Sequence, residues 1–138
     1  EVEAMGVEYT TLEDVMSRSD IVSIHTPNNA ETKGMISKEL IAKMRPDAIL
    51  VNVARGAIVD NAALADALNQ DKLAGAGIDV FDMEPPIPAD YPLLHAKNTV
   101  LTPHVAFATD ESMLRRAEIV FQNVEAYLNG QPENICKL

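Results

Sequence analysis

The chain has 138 residues, 47 % of them hydrophobic, which suits one domain with a buried core and argues against a disordered segment. Acidic side chains outnumber basic ones 21 to 11 for a formal net charge of −10, and the densest basic cluster is the pair Arg115 and Arg116, so nucleic-acid phosphate and anionic membrane surfaces are not expected partners. No apolar run nears the roughly 20 residues of a bilayer-crossing helix, Glu1–Thr10 lacks the layout of a secretion signal, and Cys136 stands alone, so a soluble, cytoplasmic protein is expected.

Thr10 and Thr11 are placed to cap a short helix at Leu12–Arg18, with Leu12, Val15 and Met16 on one side. Ile21–His25 is a β-branched run that Thr26 and Pro27 stop, followed by a polar loop at Asn28–Gly34. Ser37 caps a helix through about Met44, which Pro46 ends. Ala48–Val53 barely alternates and reads as a fully buried strand. Asp60 caps a helix at Asn61–Asn69. Leu73–Val80 is the next strand, and its Gly75, Ala76 and Gly77 allow close approach of a helix or ligand. Pro85, Pro86, Pro88 and Pro92 make 84–92 a stiff extended loop before a last short strand at Val100–Thr102.

Thr109 or Asp110 caps a long helix ending near Asn129, with Gly130 as its stop. Met113, Ala117, Val120, Phe121, Val124, Tyr127 and Leu128 recur at helical spacing and are expected to form a buried face. Strands separated by helix-length crossovers imply an α/β chain with a parallel sheet covered on both faces. The chain opens at Glu1 rather than Met, so a segment is expected upstream.

Ligands of open parallel sheets bind beyond the carboxyl ends of the strands. Three polar residues lie there: Arg55 after Ala48–Val53, Glu84 after Leu73–Val80, and His104 after Val100–Thr102. A guanidinium suits two parallel hydrogen bonds to a carboxylate. A carboxylate beside an imidazole stabilises its protonated form and yields an acid that works near neutral pH. Each residue taken singly has a plainer role: a structural ion pair for Arg55, a solvated loop acid for Glu84, a hydrogen bonder for His104. Asp79 either faces a ligand in the crevice or caps the turn that follows; His25 is a loop hydrogen bonder and His95 a surface residue. No His/Cys/Asp cluster has metal-ligand spacing and no Gly-x-Ser-x-Gly elbow occurs, which disfavours a metalloenzyme or a serine hydrolase.

From about Gly6 to Asn134 these segments resemble the NAD(P)-dependent D-isomer-specific 2-hydroxyacid dehydrogenases, the group of phosphoglycerate, glycerate (hydroxypyruvate/glyoxylate reductase) and D-lactate dehydrogenases. The resemblance is carried by Asp20–Pro27, Glu31–Gly34, Ala54–Gly56 with Ile58–Asp60, Gly75–Phe81, Glu84–Pro86 and Thr102–His104, all in one order. It implies a Rossmann-like parallel sheet, with 1–108 the C-terminal part of an NAD-binding domain and 109–138 a C-terminal crossover helix and tail. It implies that Arg55 binds the substrate carboxylate, that His104 is the acid/base and that Glu84 pairs with it. Asp79 would contact the nicotinamide carboxamide, and His25, Thr26, Pro27, Thr32, Ala54 and Ala106 would line the cofactor beside Arg55 and His104.

The implied reaction passes hydride from NAD(P)H to C2 of a 2-oxo acid while His104 protonates the oxygen. NAD is favoured as the commoner cofactor of the family, with NADP left open, and a homodimer is its usual assembly. Two departures stand out. Val105-Ala106-Phe107 replaces the Gly-Gly that often follows the histidine, a variant nearer the glycerate/hydroxypyruvate reductases. The Gly-x-Gly-x-x-Gly turn and the ribose-binding acid would lie upstream, so the isolated piece is expected to bind dinucleotide poorly, to be inactive and to self-associate. The family also holds NAD(H)-responsive transcriptional corepressors with the same Arg-Glu-His set, which stand as the alternative of another class.

Overall fold

The described residues of the computed structural model are 3–83 and 85–136, and the chain divides into two compact units, Glu1–His104 and Val105–Leu138. In the first unit, short β-branched and apolar runs form four parallel strands, β1 (Ile21–Ile24), β2 (Ile49–Asn52), β3 (Gly75–Ile78) and β4 (Thr99–Leu101), hydrogen-bonded in the order β1-β2-β3-β4. β1, β2 and β3 are each a residue or more shorter than the apolar run that announces them, and β4 keeps its length but begins one residue earlier. Hydropathy extends into flanking residues that are buried without joining the ladder, such as Ala48, Leu73 and Val80.

Three helices lie in this unit: α1 (Leu12–Arg18), α2 (Lys38–Ile41) and α3 (Asn61–Asn69). The Thr11 hydroxyl accepts from Asp14 N–H at the start of α1 and the Asp60 carboxylate from Ala63 N–H at the start of α3, as side-chain oxygens at these positions should. Beyond α3, Asp71 adopts φ 55°, with Lys72 N–H bonded to Ala67 and Asp71 N–H to Leu68, so a non-glycine residue closes the helix in a left-handed cap. The helix begun at Ser37 ends at Ile41 rather than near Met44. Ser37 spends its hydroxyl on Glu39, at 2.7 Å, instead of on a cap.

Within the first unit the helices cover the sheet on one face, not on both. Register aligns Val22, Leu50, Ala76 and Thr99 in one row and Ile24, Asn52, Ile78 and Leu101 in another; the first three residues of each row are buried. The opposite rows carry Ile21, Ile49 and Val100, which are 63 %, 39 % and 68 % exposed. Crossovers between neighbouring parallel strands share one hand, so strands laid down in sequential order send their helices to a single face. Alternation of helix and strand announces the parallel sheet but not the strand order, and order decides how many faces are covered.

Segment 85–91 does not run extended as expected: it turns where Tyr91 N–H bonds to the Pro88 carbonyl at 3.0 Å, then leads into a 3₁₀ turn at Pro92–His95. Tyr91 and Leu93 are buried in the same core as Leu64 and Leu68 of α3. The Tyr91 ring meets Phe81 edge-on, with centroids 5.6 Å apart and planes at 79°.

In the second unit, α4 (Asp110–Leu128) begins at Thr109, whose hydroxyl accepts from Ser112 N–H while the Ser112 hydroxyl accepts from Thr109 N–H. Gly130, at φ 73°, ends it with the same left-handed cap as α3. The apolar stripe of α4 is not a buried face: no residue of the helix is buried, and Phe121 and Leu128 are 74 % and 76 % exposed. Helical periodicity predicts that a stripe has a cover, but does not say that the same chain provides it. Among the described residues no helix is long and apolar enough to cross a membrane.

Candidate active site

The carboxyl ends of β1, β2, β3 and β4 lead to His25, Arg55, Asp79 and His104 in turn. At the end of β2 the chain makes a tight exit. Asn52 is fully buried, accepts from Ala54 N–H at 3.1 Å and donates to the Arg55 carbonyl at 3.0 Å. Arg55 leaves this turn in an extended conformation, φ −147° and ψ 139°, and its guanidinium donates to the Ala54 carbonyl at 2.7 Å. Among the described residues none of the ion pairs includes Arg55.

Gly56 follows, and here a side chain has no room. A Cβ on it would lie 1.9 Å from the Phe81 carbonyl carbon and 2.3 Å from Asp82 N. The exit of β2 thus abuts the exit of β3 backbone to backbone. The Asn61 amide at the start of α3 donates to the Gly56 carbonyl at 3.2 Å. On the far side, Tyr91 donates to Asp82 at 2.5 Å. Burial first, and then the bonded Asp82 carboxylate, push the Tyr91 phenol well above its ordinary range. Sequence patterning did not single out Asn52, Asn61 or Tyr91, because none belongs to a catalytic pair or a metal-type cluster. An Asn inside the apolar run Ala48–Val53 was the one available signal for Asn52.

Asp79, one residue past β3, is 2 % exposed and gathers three strands. Its N–H donates to the Asn52 carbonyl at 3.0 Å, its carbonyl accepts from His104 N–H at 2.8 Å, and its carboxylate accepts from the Thr102 hydroxyl at 2.5 Å. His104 itself sits at φ 58°, a left-handed conformation that a residue with a Cβ adopts at a cost. The Asp79 carbonyl helps to hold it there.

These residues line two hollows. A cavity of about 260 Å³ is lined by Arg55, Gly56, Asp79, Phe81, Met83 and His104, among others. A cleft of about 650 Å³ is lined by His25, Thr26, Pro27, Asn28, Val53, Ala54 and Arg55. Arg55 is the wall they share. In the cleft, the Thr26 hydroxyl is buried without a hydrogen-bond partner among the described residues, so the wall offers a polar atom to a ligand; a dinucleotide's polar groups fit such a lining. The His25 ring is bonded to Ser23 at 2.7 Å.

Thr32 does not line the cleft. Its hydroxyl instead donates to the Pro27 carbonyl at 2.6 Å and accepts from Asn29 N–H at 2.9 Å, folding the loop that holds Thr26 and Pro27. Glu84 lies outside the described residues. Ala106 lies in the second unit, and His95 bonds to the Ala89 carbonyl at 2.6 Å, away from the cavity lining.

Comparison with known proteins follows the same lines. Residues 1–106 match the family described as D-isomer specific 2-hydroxyacid dehydrogenase, NAD binding domain. The chain is 48 % identical over 132 residues to a glyoxylate reductase of Korarchaeum cryptofilum, covering 95 % of this chain and 40 % of that protein. Among solved structures, a D-isomer specific 2-hydroxyacid dehydrogenase from Lactobacillus delbrueckii ssp. bulgaricus in its NAD-complexed form superposes with TM-score 0.83 at 34 % identity, over 94 % of this chain and 43 % of that one. An acyclic imino acid reductase in complex with NADPH and D-Arg gives TM-score 0.87 at 33 % identity, over 96 % and 42 %. The chain thus spans about two fifths of the length of the relatives it matches.

Proposed function

Because the chain belongs to the D-isomer specific 2-hydroxyacid dehydrogenases, in their NAD-binding domain, we propose that it is the C-terminal portion of an oxidoreductase acting between NAD(P)H and a small 2-oxo acid of the glyoxylate, hydroxypyruvate or phosphoglycerate type. The observation that carries this is the convergence of Arg55, Asp79 and His104 on one cavity of about 260 Å³, with Arg55 also walling the cleft of His25, Thr26 and Pro27.

In this proposal the Arg55 fork grips the substrate carboxylate and polarises the neighbouring carbonyl. His104 gives its proton to the carbonyl oxygen as C2 is reduced, and takes it back in the oxidation. Glu84 is assigned to the imidazole on the resemblance alone. Ala54, Asp79, Thr26 and Pro27 would hold the dinucleotide, with Thr32 fixing the loop behind them; Ala106 is assigned to the cofactor on the resemblance alone, and the bound dinucleotide supplies the hydride. NAD is our preference, with NADP the alternative. Residues 1–108 would form the C-terminal part of the NAD-binding domain and 109–138 the crossover helix and tail.

We place the protein in the cytoplasm on its lone, exposed Cys136. We propose a homodimer on the uncovered apolar stripe of α4, which is long enough to serve as an isologous contact. The 138-residue chain by itself should self-associate through its bare sheet face and bind dinucleotide poorly. The deciding experiment follows NADH absorbance in the full-length protein with glyoxylate, hydroxypyruvate and phosphohydroxypyruvate. Turnover with one of them supports the assignment, and turnover with no 2-oxo acid overturns it.

A further inference from the structure

We propose that Asn52 is a positioning residue for the Arg55 guanidinium, an inference that rests on the role given to Arg55 above. Asn52 belongs to the covered row of the sheet, level with Ile24 and Ile78, where packing alone calls for an apolar side chain. A buried amide is costly there unless all of it is bonded. Both ends of the amide are spent on the two residues that deliver Arg55. Its oxygen takes the Ala54 N–H at 3.1 Å and its nitrogen gives to the Arg55 carbonyl at 3.0 Å.

These two bonds bracket the backbone of Ala54 and Arg55. They fix the dihedral angles between them and so the direction in which the Arg55 side chain leaves the sheet. The Asn52 carbonyl meanwhile accepts from Asp79 N–H at 3.0 Å. One buried residue therefore ties the Arg55 turn to the strand exit that bears Asp79. An apolar residue at this position would keep the packing and release the turn.

The test is a double-mutant cycle in the full-length protein, with active-site concentration fixed by NADH fluorescence titration. Asn52→Asp is isosteric, keeps the acceptor for Ala54 N–H, and sets an oxygen against the Arg55 carbonyl. It should raise KM for glyoxylate or hydroxypyruvate by roughly 10- to 100-fold, the scale expected when a binding group is displaced by about an ångström. In an Arg55→Ala background the same substitution should raise KM no further, because its effect passes through the missing guanidinium. Equal rises in both backgrounds, or an unchanged KM in Asn52→Asp alone, would overturn the positioning role while leaving that of Arg55 intact. An Arg55→Ala protein with unaltered KM overturns the role of Arg55 and this inference with it. If Asn52→Asp yields too little folded protein, Asn52→Ser enters the same cycle and is read by the same outcomes.

Discussion

Replacing Gly56 by alanine should do damage out of proportion to one methyl group. The added Cβ would sit 1.9 Å from the Phe81 carbonyl carbon, and ordinary contact begins near 3.4 Å, so the facing strand exits must part by about 1.5 Å. The atoms met are backbone, with no rotamer to yield. Asn61 holds one side through the Gly56 carbonyl and Tyr91 holds the other through Asp82, so the separation also strains one buried and one part-buried hydrogen bond. Overpacking of this kind costs about 1–3 kcal/mol, and a shift of this size at a binding group costs about 10²-fold in kcat/KM. Arg55 leads one of the two displaced loops, while Phe81 and Met83 line the cavity from the other. Thermal melting and steady-state kinetics on the full-length Gly56→Ala protein measure both effects. A variant that melts and turns over like its parent would show that the loops part freely and that their contact sets no geometry.

His104→Ala should lower kcat by about 10²–10⁴-fold with little change in NADH affinity, measured by fluorescence titration. Arg55→Lys keeps the charge but loses the fork, and should raise KM for the 2-oxo acid by about 10- to 100-fold, since hydrogen bonds between charged groups contribute about 1.5–3 kcal/mol. Asp60→Ala removes the cap bonded to Ala63 N–H at 2.9 Å and should cost about 0.5–2 kcal/mol in urea denaturation. Tyr91 carries an alkaline signature. Its phenol is raised above the ordinary 10.0 in the folded chain, so the unfolded chain releases that proton first. The associated stability is whole below about pH 10 and declines as pH rises beyond it. Tyr91→Phe should reduce this alkaline decline in denaturation curves, and an unchanged slope would show that the phenol is not so held.

The sequence was most legible where one local cause sets an element. Thr11 and Asp60 announce α1 and α3 because a capping oxygen and a helical stripe both lie within a few residues. Gly130 announces the end of α4 for the same reason. The candidate site was legible as a set of strand exits, since Arg55, Asp79 and His104 each follow an apolar run. What sequence reading missed is set by partners distant along the chain. The buried Tyr91 was lost in a proline-rich stretch because its partners, Phe81 and Asp82, lie about ten residues back. Asn52 passed unremarked within the buried run Ala48–Val53, because its task, bracketing Ala54 and Arg55, appears only once the strand ends in a turn. The bare face of the sheet and the uncovered stripe of α4 escaped for a further reason: apolar periodicity records that a surface is to be buried, not by what.

Because each strand hydrogen-bonds to the one made just before it, from β1 through β4, no strand in this sheet waits for a later one to be inserted between its neighbours. A ribosome would release the pieces in the order in which they dock, and each arrival would cap the growing edge. The Arg55 turn at the end of β2 would leave the ribosome ahead of the β4 exit that carries His104.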